Sequence, residues 1–369
     1  MTEPRPAKLN RAELRPAVLP RMTEPRADEL RPTELLRADH LTRHFKIGGT
    51  LARGTLHAVD DVSFAIGERE IVALAGESGS GKSTVARLLA RVYPPTSGTV
   101  TYFDVAGEGR RLSALRSRRD GLRYSGQVPM VFQDPFSSLN PVFRASHGVL
   151  RALKLHRPEL SAGERRAEAA RVFDVVGLGA GMLGRFPHEL SGGQRQRVGF
   201  AQALASRPRL ILADEPVSML DTSIRIGLLN LMAKLRDEEG VSILYITHDI
   251  ASARYVADRL IVMYAGRIAE TGPVEDVLAA PRHPYTQLLL SAVPDPKAPP
   301  PSLEALAAAA GERGEPPKVI DPRPGCRFQP RCPVAVDQCA TVTPELLPLG
   351  SGEAACHVAQ SGAEVRAFS

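Results

Sequence analysis

The stretch "GESGSGKST" has the residue types and the spacing to hold a phosphate group. The fixed positions of the phosphate-loop pattern G-x-x-x-x-G-K-[ST] are filled by Gly76, Gly81, Lys82 and Ser83. Glycines let successive backbone N–H groups surround one anion, and the positive end of the following helix adds to the attraction. We expect Lys82 to reach the β- and γ-phosphates of a nucleotide and Ser83 to ligate Mg²⁺. The candidate nucleotide-binding residues of the loop are Gly76, Glu77, Ser78, Gly79, Ser80, Gly81, Lys82, Ser83 and Thr84.

Two adjacent acids end an apolar run further along the chain. The run in "RLILADEP" predicts a buried strand, with Asp214 and Glu215 at its end. Beside a bound nucleotide, Asp214 would hold the Mg²⁺ shell and Glu215 would polarise the attacking water. The phosphate loop by itself leaves kinases, GTPases and many ATPases open.

The pentapeptide "LSGGQ" resembles the signature motif of ABC-type ATPases. Neither kinases nor GTPases carry it between the phosphate loop and the second acidic motif. At the start of a helix, the Ser191 side chain and the amides of Gly192 and Gly193 would form a second anion site. The resemblance implies contact with the γ-phosphate of an ATP bound to another subunit for Ser191, Gly192, Gly193 and Gln194.

Four more positions match motifs of the same family. Gln133 in "VFQDP" resembles the Q-loop glutamine, which contacts Mg²⁺ and water, and Asp221 in "SMLDTS" resembles the D-loop aspartate. His248 in "YITHDI" resembles the switch histidine at the γ-phosphate, and Phe45 in "RHFKI" resembles the aromatic residue that stacks on adenine. For Phe45 and His248 the alternative is a place in the hydrophobic core. Met219 stands where the D-loop usually has alanine, but no catalytic group is missing.

The resemblance to the ATPase domain covers about residues 36 to 275 and implies a fold. This is the α/β fold of P-loop nucleoside triphosphatases of the ABC ATPase type, with a parallel core sheet, an antiparallel β subdomain and a helical subdomain. It implies ATP as substrate and Mg²⁺ as cofactor, with ATP sandwiched at a dimer interface. The implied catalytic residues are Glu215, His248, Gln133 and Lys82. The implied Mg²⁺ ligands are Ser83, Gln133 and Asp214.

Three further stretches resemble the ATP-binding subunits of oligopeptide and dipeptide importers. They are "FQDPFSSLNP", "RHPYTQLLLSAVP" and "GCRFQPRCPVAVDQC". The resemblance implies that the chain powers peptide import at the cytoplasmic face of the membrane. The implied partners are a homologous ATPase subunit, most simply as a heterodimer, two integral membrane permease subunits and an extracytoplasmic substrate-binding protein.

Two alternatives to peptide import stay open on the sequence. One is an importer of nickel or another small solute in the same branch, because the cargo need never touch this chain. The other is a non-transport ABC ATPase, although these usually fuse two cassettes or carry a long coiled coil. The chain has one cassette and no sustained heptads.

Composition limits the class of protein and its partners. With 369 residues, 43% of them hydrophobic, no apolar run reaches membrane-spanning length, and the first residues lack a secretory signal. We therefore expect any membrane role to come through partners. The net charge of +6 comes largely from "GRRLSALRSRRDGLR". Without interleaved aromatic residues this run favours a solvated helix face, and we expect no nucleic-acid partner.

The chain divides into three predicted parts. Residues 1–34 are proline-interrupted and charged, with "MTEPR" occurring twice, and are predicted to be a disordered tail. Residues 35–280 alternate strands and helices, as expected of the ATPase domain, with a helical insertion at about 134 to 190. Residues 281–369 would form a C-terminal extension with a Pro/Ala-rich linker and a cysteine group.

All four cysteines lie in the final 44 residues, separated by five, six and sixteen residues. A cytoplasmic location disfavours disulfides, and the close C-x₂₋₄-C pairs of zinc sites are absent. We therefore expect a 4Fe-4S cluster with a structural role, because the cysteines lie far along the chain from the nucleotide motifs. Zinc or four reduced thiols are the alternatives. The expected ligands are Cys326, Cys332, Cys339 and Cys356, with Arg327 and Arg331 offsetting the charge.

Overall fold

Short apolar runs form the central strands of the fold. The computed structural model of the chain describes residues 34–49, 52–134, 139–218, 220–292, 319–363 and 365. The strands are β1 (Glu34–Gly49), β2 (Ala52–Gly67), β3 (Ile71–Ala75), β4 (Ser97–Phe103), β5 (Gly109–Arg111), β6 (Met130–Val131), β7 (Leu210–Asp214), β8 (Ser242–Thr247), β9 (Arg259–Tyr264), β10 (Arg267–Pro273), β11 (Leu347–Leu349) and β12 (Gly352–Ala354).

The core sheet has eight strands in the order β11-β12-β10-β9-β3-β8-β7-β6. Strand β3 runs parallel to β8 and β9, and β7 runs parallel to β8 and β6. The carboxyl ends of parallel strands meet at one edge of a sheet, where ligands of such folds bind. The loops after β3, β7 and β8 therefore lie together.

The side chains of the central strands alternate between two buried hydrophobic clusters. On β3, Ile71, Ala73 and Ala75 belong to one cluster, whereas Val72 and Leu74 belong to the other. All five residues are fully buried. Burial on both faces is why these strands are continuous apolar runs, as is typical of parallel sheets covered by helices.

The described helices cover that sheet and form a separate helical segment. They are α1 (Lys82–Leu89), α2 (Arg118–Gln127), α3 (Ser146–His156), α4 (Ala162–Val175), α5 (Gly192–Leu204), α6 (Thr222–Asp237), α7 (Ile250–Val256), α8 (Val274–Ala279), α9 (Pro284–Ser291), α10 (Asp337–Thr341) and α11 (His357–Gln360). The predicted helical insertion contains α3 and α4. Helix α4 begins with a capping box, in which the Ser161 hydroxyl accepts from the Glu164 N–H and the Glu164 carboxylate accepts from the Ser161 N–H. The arginines of the basic run around α2 are exposed.

A second sheet is antiparallel, in the order β2-β1-β4-β5. The long strands β1 and β2 pair along most of their length, which sets Phe45 opposite Leu56. The predicted fold is thus confirmed in its parallel core sheet, antiparallel β sheet and helical segment. No helix in the described ranges is both long enough and apolar enough to cross a membrane.

The C-terminal extension adds strands to the core sheet. Strand β12 pairs with β10 in antiparallel register, with Glu270 opposite Ala354, and β11 pairs with β12. The described residues from Glu34 onward group into one compact unit. The predicted tail lies outside the described residues except for Glu34, which begins β1, and most of the predicted linker lies outside them as well.

Candidate active site

The phosphate loop joins β3 to α1 and depends on two glycines. Gly76 has φ +152°, and a Cβ there would lie 2.1 Å from the Met263 carbonyl oxygen. Gly81 has φ +105°, and a Cβ there would lie 2.2 Å from the Ala58 carbonyl oxygen. Any side chain at either position would collide with backbone, so the loop can pass this close to its neighbours only with glycine.

Lys82 begins α1 and turns its side chain back over the loop. Its Nζ donates to the carbonyl oxygens of Gly76 and Glu77, at 2.8 Å each, and the residue is 4% exposed. Burial lowers the pKa of the Lys82 ammonium, and the nearby carboxylates of Glu215 and Asp214 oppose that shift. The loop thus holds a buried cation that a triphosphate could bind.

A hydroxyl and a carboxylate meet beside Lys82. The Ser83 Oγ donates to the Asp214 Oδ1 at 2.8 Å, joining the start of α1 to the end of β7. Burial raises the pKa of the Asp214 carboxyl, and the Ser83 hydrogen bond opposes that shift. A buried carboxylate next to a hydroxyl offers the oxygen ligands that Mg²⁺ prefers. The donor set therefore fits the expected metal ion.

The side chains of Gln133 and His248 converge on Glu215. The Gln133 Nε2 donates to the Glu215 Oε2 at 3.0 Å, and the His248 Nδ1 lies 3.3 Å from the same oxygen. Glu215 has φ +44°, a strained conformation for a residue with a side chain, and its side chain is only 15% exposed. His248 is exposed, so the alternative of a core histidine is wrong. The three residues come from the ends of β6, β7 and β8, as the topology requires.

The signature stretch begins α5. The Ser191 Oγ accepts from the Gln194 N–H at 3.3 Å, and the Gln194 Oε1 accepts from the Ser191 N–H at 2.9 Å. This capping box leaves the amides of Gly192 and Gly193 in the first turn, where helices bind anions. A Cβ at Gly193 would lie 2.2 Å from the Ile224 Cγ2. The assigned role at a partner's γ-phosphate stays a prediction.

Two predicted residues lie at less constrained positions. Asp221 is exposed and precedes the first residue of α6, while Met219 lies outside the described residues. Phe45 is half-buried and belongs to neither hydrophobic cluster of the described chain. Its ring meets Tyr93 edge-on at 5.5 Å between centroids, and the Arg43 guanidinium lies 4.6 Å from its centroid. A core role for Phe45 is thus disfavoured, and adenine stacking stays a prediction.

Two residues contact the phosphate loop although the sequence assigned neither of them there: Tyr285 was given no role, and Arg331 was expected to offset the charge of the cysteine group. The Glu77 N–H donates to the hydroxyl of Tyr285, which is fully buried on α9, at 2.8 Å. The Glu77 carboxylate pairs with Arg331 of the C-terminal extension. Both residues lie in stretches that mark the importer branch, "RHPYTQ" and "QPRC", but neither stretch carries a signal of what it touches.

The four cysteines are brought together by the extension. Cys339 and Cys356 are buried, Cys326 and Cys332 are half-buried, and the Cys326 N–H donates to the Cys339 carbonyl oxygen at 2.8 Å. Burial and the neighbouring thiols raise the pKa of the Cys326 and Cys332 thiols to about 11. The group is also close to the nucleotide site, because Arg331, which precedes Cys332, reaches the phosphate loop. The cysteine group and the phosphate loop are therefore far apart along the chain but are connected in the folded structure through Arg331.

Protein-family models match two parts of the chain. One described as "ABC transporter" matches residues 59–218, and one described as "Oligopeptide/dipeptide transporter, C-terminal region" matches residues 269–339. The first range contains the phosphate loop, Gln133, the signature and the paired acids. The second contains Tyr285, Arg331 and three of the cysteines.

Two relatives are similar to this chain over most of its length. "Probable peptide ABC transporter ATP-binding protein y4tS" of Sinorhizobium fredii is 42% identical over 88% of this chain and 90% of its own length. "Putative oligopeptide transport ATP-binding protein YkfD" of Bacillus subtilis is 38% identical over 89% of this chain and 97% of its own length.

Solved structures match the cassette portion. The ATP-binding cassette MJ0796, described as a dimer in a post-hydrolysis state bound to ADP and Pi, superposes with a TM-score of 0.57 and 29% identity. The match covers 65% of this chain and 99% of that chain. The cbiO1 protein of Clostridium perfringens shares the fold, with a TM-score of 0.56 over 67% of this chain and 91% of that one, at 24% identity.

Proposed function

This chain belongs to the family of ATP-binding subunits of ABC-type oligopeptide and dipeptide transporters, and we propose that it hydrolyses ATP to power the import of peptides. Its ABC ATPase domain makes it an ATPase that uses ATP and Mg²⁺. The observation that carries the proposal is the convergence of Gln133 and His248 on one carboxylate oxygen of Glu215. The printed names of the relatives support peptides as the cargo.

The site residues divide the work of hydrolysis. Lys82 and the loop amides bind the β- and γ-phosphates, and Ser83 and Asp214, with Gln133, hold Mg²⁺, which neutralises phosphate charge when bound. Glu215 accepts the proton of the attacking water, because its carboxylate can act as a general base and lies at the end of β7, directly after Asp214. Gln133 and His248 hold the Glu215 side chain by their contacts to its Oε2. His248 also contacts the γ-phosphate.

We place the complete ATP site at the interface of two subunits. The phosphate loop of one subunit and the Ser191 helix start of the other enclose each ATP, with Asp221 and Phe45 completing the site. ATP therefore favours the closed pair, and its hydrolysis allows the pair to open. The exposed capping-box serine of α5 and the dimeric state of the cassette MJ0796 support this arrangement.

We propose that the complex lies at the cytoplasmic face of the membrane. It would contain a homologous ATPase subunit as a heterodimer partner, two integral permease subunits and an extracytoplasmic substrate-binding protein. Affinity purification of this chain from its native membrane tests the proposal by identifying what accompanies it. Permease subunits should copurify. Recovery with ribosomes or DNA-repair proteins in place of membrane proteins would instead identify a non-transport ATPase.

The isolated chain should hydrolyse ATP slowly. Each ATP site would lack the sister subunit's signature, and removal of phosphate-binding donors costs at least about tenfold in turnover. Adding the sister ATPase and the permease subunits should raise phosphate release per site by that factor. An isolated homodimer that is as fast as the assembled complex would contradict the heterodimer.

We assign the parts of the chain to separate tasks. Residues 35–280 form the ATPase domain, and residues 281–369 form the transporter-type extension. A separate C-terminal part is supported by the family model of the C-terminal region, which matches residues 269–339.

We further propose that the extension holds a 4Fe-4S cluster on Cys326, Cys332, Cys339 and Cys356. Among the described residues, only His44, His57 and Asp60 place three ligand atoms within 4.8 Å of one another, so no three of the cysteine sulfurs do. Four thiolates around one zinc ion, at about 2.3 Å each, would lie about 3.8 Å apart. The described cysteine sulfurs do not have the spacing of a one-zinc site. The proposal of a cluster rests on the four cysteines and their spacing along the chain, and a cluster would supply a rigid cross-link within the extension.

Anaerobically purified protein should therefore be brown, absorb near 400 nm and contain about four iron atoms per chain. The measurement is iron and zinc analysis of protein from the native host. Cys339→Ser should lose the iron because it removes a buried ligand, whereas Ser361→Ala, a serine change at the same end of the chain, should keep it. Colourless protein that contains stoichiometric zinc would show that the cysteines hold zinc and not a cluster.

A further inference from the structure

An arginine of the C-terminal extension is locked onto the phosphate loop. The Arg331 guanidinium donates to both carboxylate oxygens of Glu77, with distances of 2.9 Å and 3.0 Å. The Arg331 side chain is only 10% exposed. A buried, two-pronged contact of this kind fixes direction as well as distance, unlike a solvent-exposed ion pair.

The arginine is held in place on its other sides. One of its donors also lies 3.3 Å from the Tyr264 hydroxyl, and its guanidinium carbon lies 5.7 Å from the ring centroids of Tyr264 and Phe328. Those aromatic rings belong to a packed group that includes Tyr285. Arg331 is therefore aimed at Glu77 by the residues packed around it.

Glu77 links Arg331 to the part of the loop that would bind phosphate. Its carbonyl oxygen accepts from the Lys82 Nζ at 2.8 Å, and its N–H donates to the Tyr285 hydroxyl at 2.8 Å. All three polar groups of Glu77 are thus engaged, two of them by residues beyond position 280. The loop conformation depends on the extension.

The Arg331–Glu77 pair also compensates a negative charge in the phosphate loop. Glu77 is an acid within a loop that has to attract a polyanion, and an uncompensated carboxylate there would repel the phosphates. Asp214 and Glu215 add further negative charge around Lys82. Arg331 is the cation bonded to the Glu77 carboxylate, so it cancels the charge nearest the loop backbone.

We propose that Arg331 is a positioning residue for ATP binding, which neutralises Glu77 and fixes the phosphate loop from the C-terminal extension. The proposal rests on the proposed function, because it assumes that this loop binds ATP. It gives the extension a part in the nucleotide site, in addition to its cysteine group.

The test is the affinity of full-length variants for a fluorescent ATP analogue. Arg331→Gln leaves the Glu77 carboxylate uncompensated and should weaken binding about tenfold. Arg331→Lys keeps the positive charge but cannot donate to both carboxylate oxygens in the same geometry. Its loss of affinity should therefore be smaller than that of Arg331→Gln. The double variant Glu77→Gln with Arg331→Gln removes the repulsion together with the cation and should recover affinity to within about threefold of wild type. Arg323→Gln, a change of an exposed arginine in the same extension, is the matched control.

Several outcomes separate this role from simple support of the fold. A double variant as weak as Arg331→Gln, or Arg331→Gln with wild-type affinity, would overturn the proposal. Should Arg331→Gln fail to fold, Glu77→Gln alone decides: its amide oxygen can still accept from Arg331 while the negative charge is gone, so it should bind at least as tightly as wild type. Weaker binding would overturn the proposal. Wild-type protein that binds no analogue would overturn the proposed function itself.

Discussion

Glu215→Gln should abolish ATP hydrolysis while leaving ATP binding intact. The substitution preserves size and hydrogen bonding but removes the carboxylate, contacted by Gln133 and His248, that would accept the proton from water. Loss of a positioned general base costs about 10³-fold in turnover. Steady-state phosphate release from the assembled complex and equilibrium binding of a fluorescent ATP analogue measure the two effects separately.

The same variant should trap the closed pair of ATPase subunits. Without hydrolysis the bound ATP keeps both subunits together, so addition of Mg-ATP should shift the chain to the dimer in size-exclusion chromatography. Glu275→Gln changes an exposed carboxylate that pairs with Arg254 on the surface, and it should behave as wild type. Near wild-type phosphate release by Glu215→Gln would show that another group is the base.

Lys82→Ala should act on binding itself. It removes the buried ammonium that bridges the Gly76 and Glu77 carbonyl oxygens and leaves those acceptors facing the place of the phosphates. A charge-assisted hydrogen bond contributes about 1.5–3 kcal/mol, so the affinity for ATP should fall by about a hundredfold for contacts to two phosphates. Titration with the fluorescent analogue measures the loss directly.

A second lysine provides the control for that change. Lys234 lies on α6 and pairs with Glu238 one turn away, so Lys234→Ala removes the same charge from the surface. Its affinity for ATP should match that of wild type. If Lys82→Ala bound ATP normally and lost only turnover, Lys82 would act in the chemical step rather than in binding.

The nucleotide site could be predicted because its parts are local patterns. The loop between β3 and α1 has two glycines, Gly76 and Gly81, that no other residue can replace. A lysine and a serine follow them at fixed spacings. The apolar runs of β7 and β8 mark buried parallel strands, whose carboxyl ends must meet. The family resemblance assigned Ser83 and Asp214 to one magnesium ion, and Glu215, Gln133 and His248 to the attacking water and the γ-phosphate. The structure brings the members of each set into contact.

The contacts of the extension could not be predicted, because they join residues far apart in the chain through ordinary polar chemistry. Tyr285 and Glu77 are 208 positions apart, and Arg331 and Glu77 are 254 apart. Strands β11 and β12 have three residues each, too few for a periodic pattern, so their addition to β10 leaves no sequence signal. For the same reason, distance along the chain did not indicate that the neighbour of Cys332, Arg331, contacts the phosphate loop.

Peptide uptake by reconstituted complexes tests the central claim most directly. The complex purified through this chain would be placed in liposomes with the substrate-binding protein, and accumulation of a labelled peptide would be followed with and without ATP. We expect uptake that requires ATP and stops in the Glu215→Gln variant. Complexes that hydrolyse ATP and accumulate nickel but never a peptide would contradict peptide import.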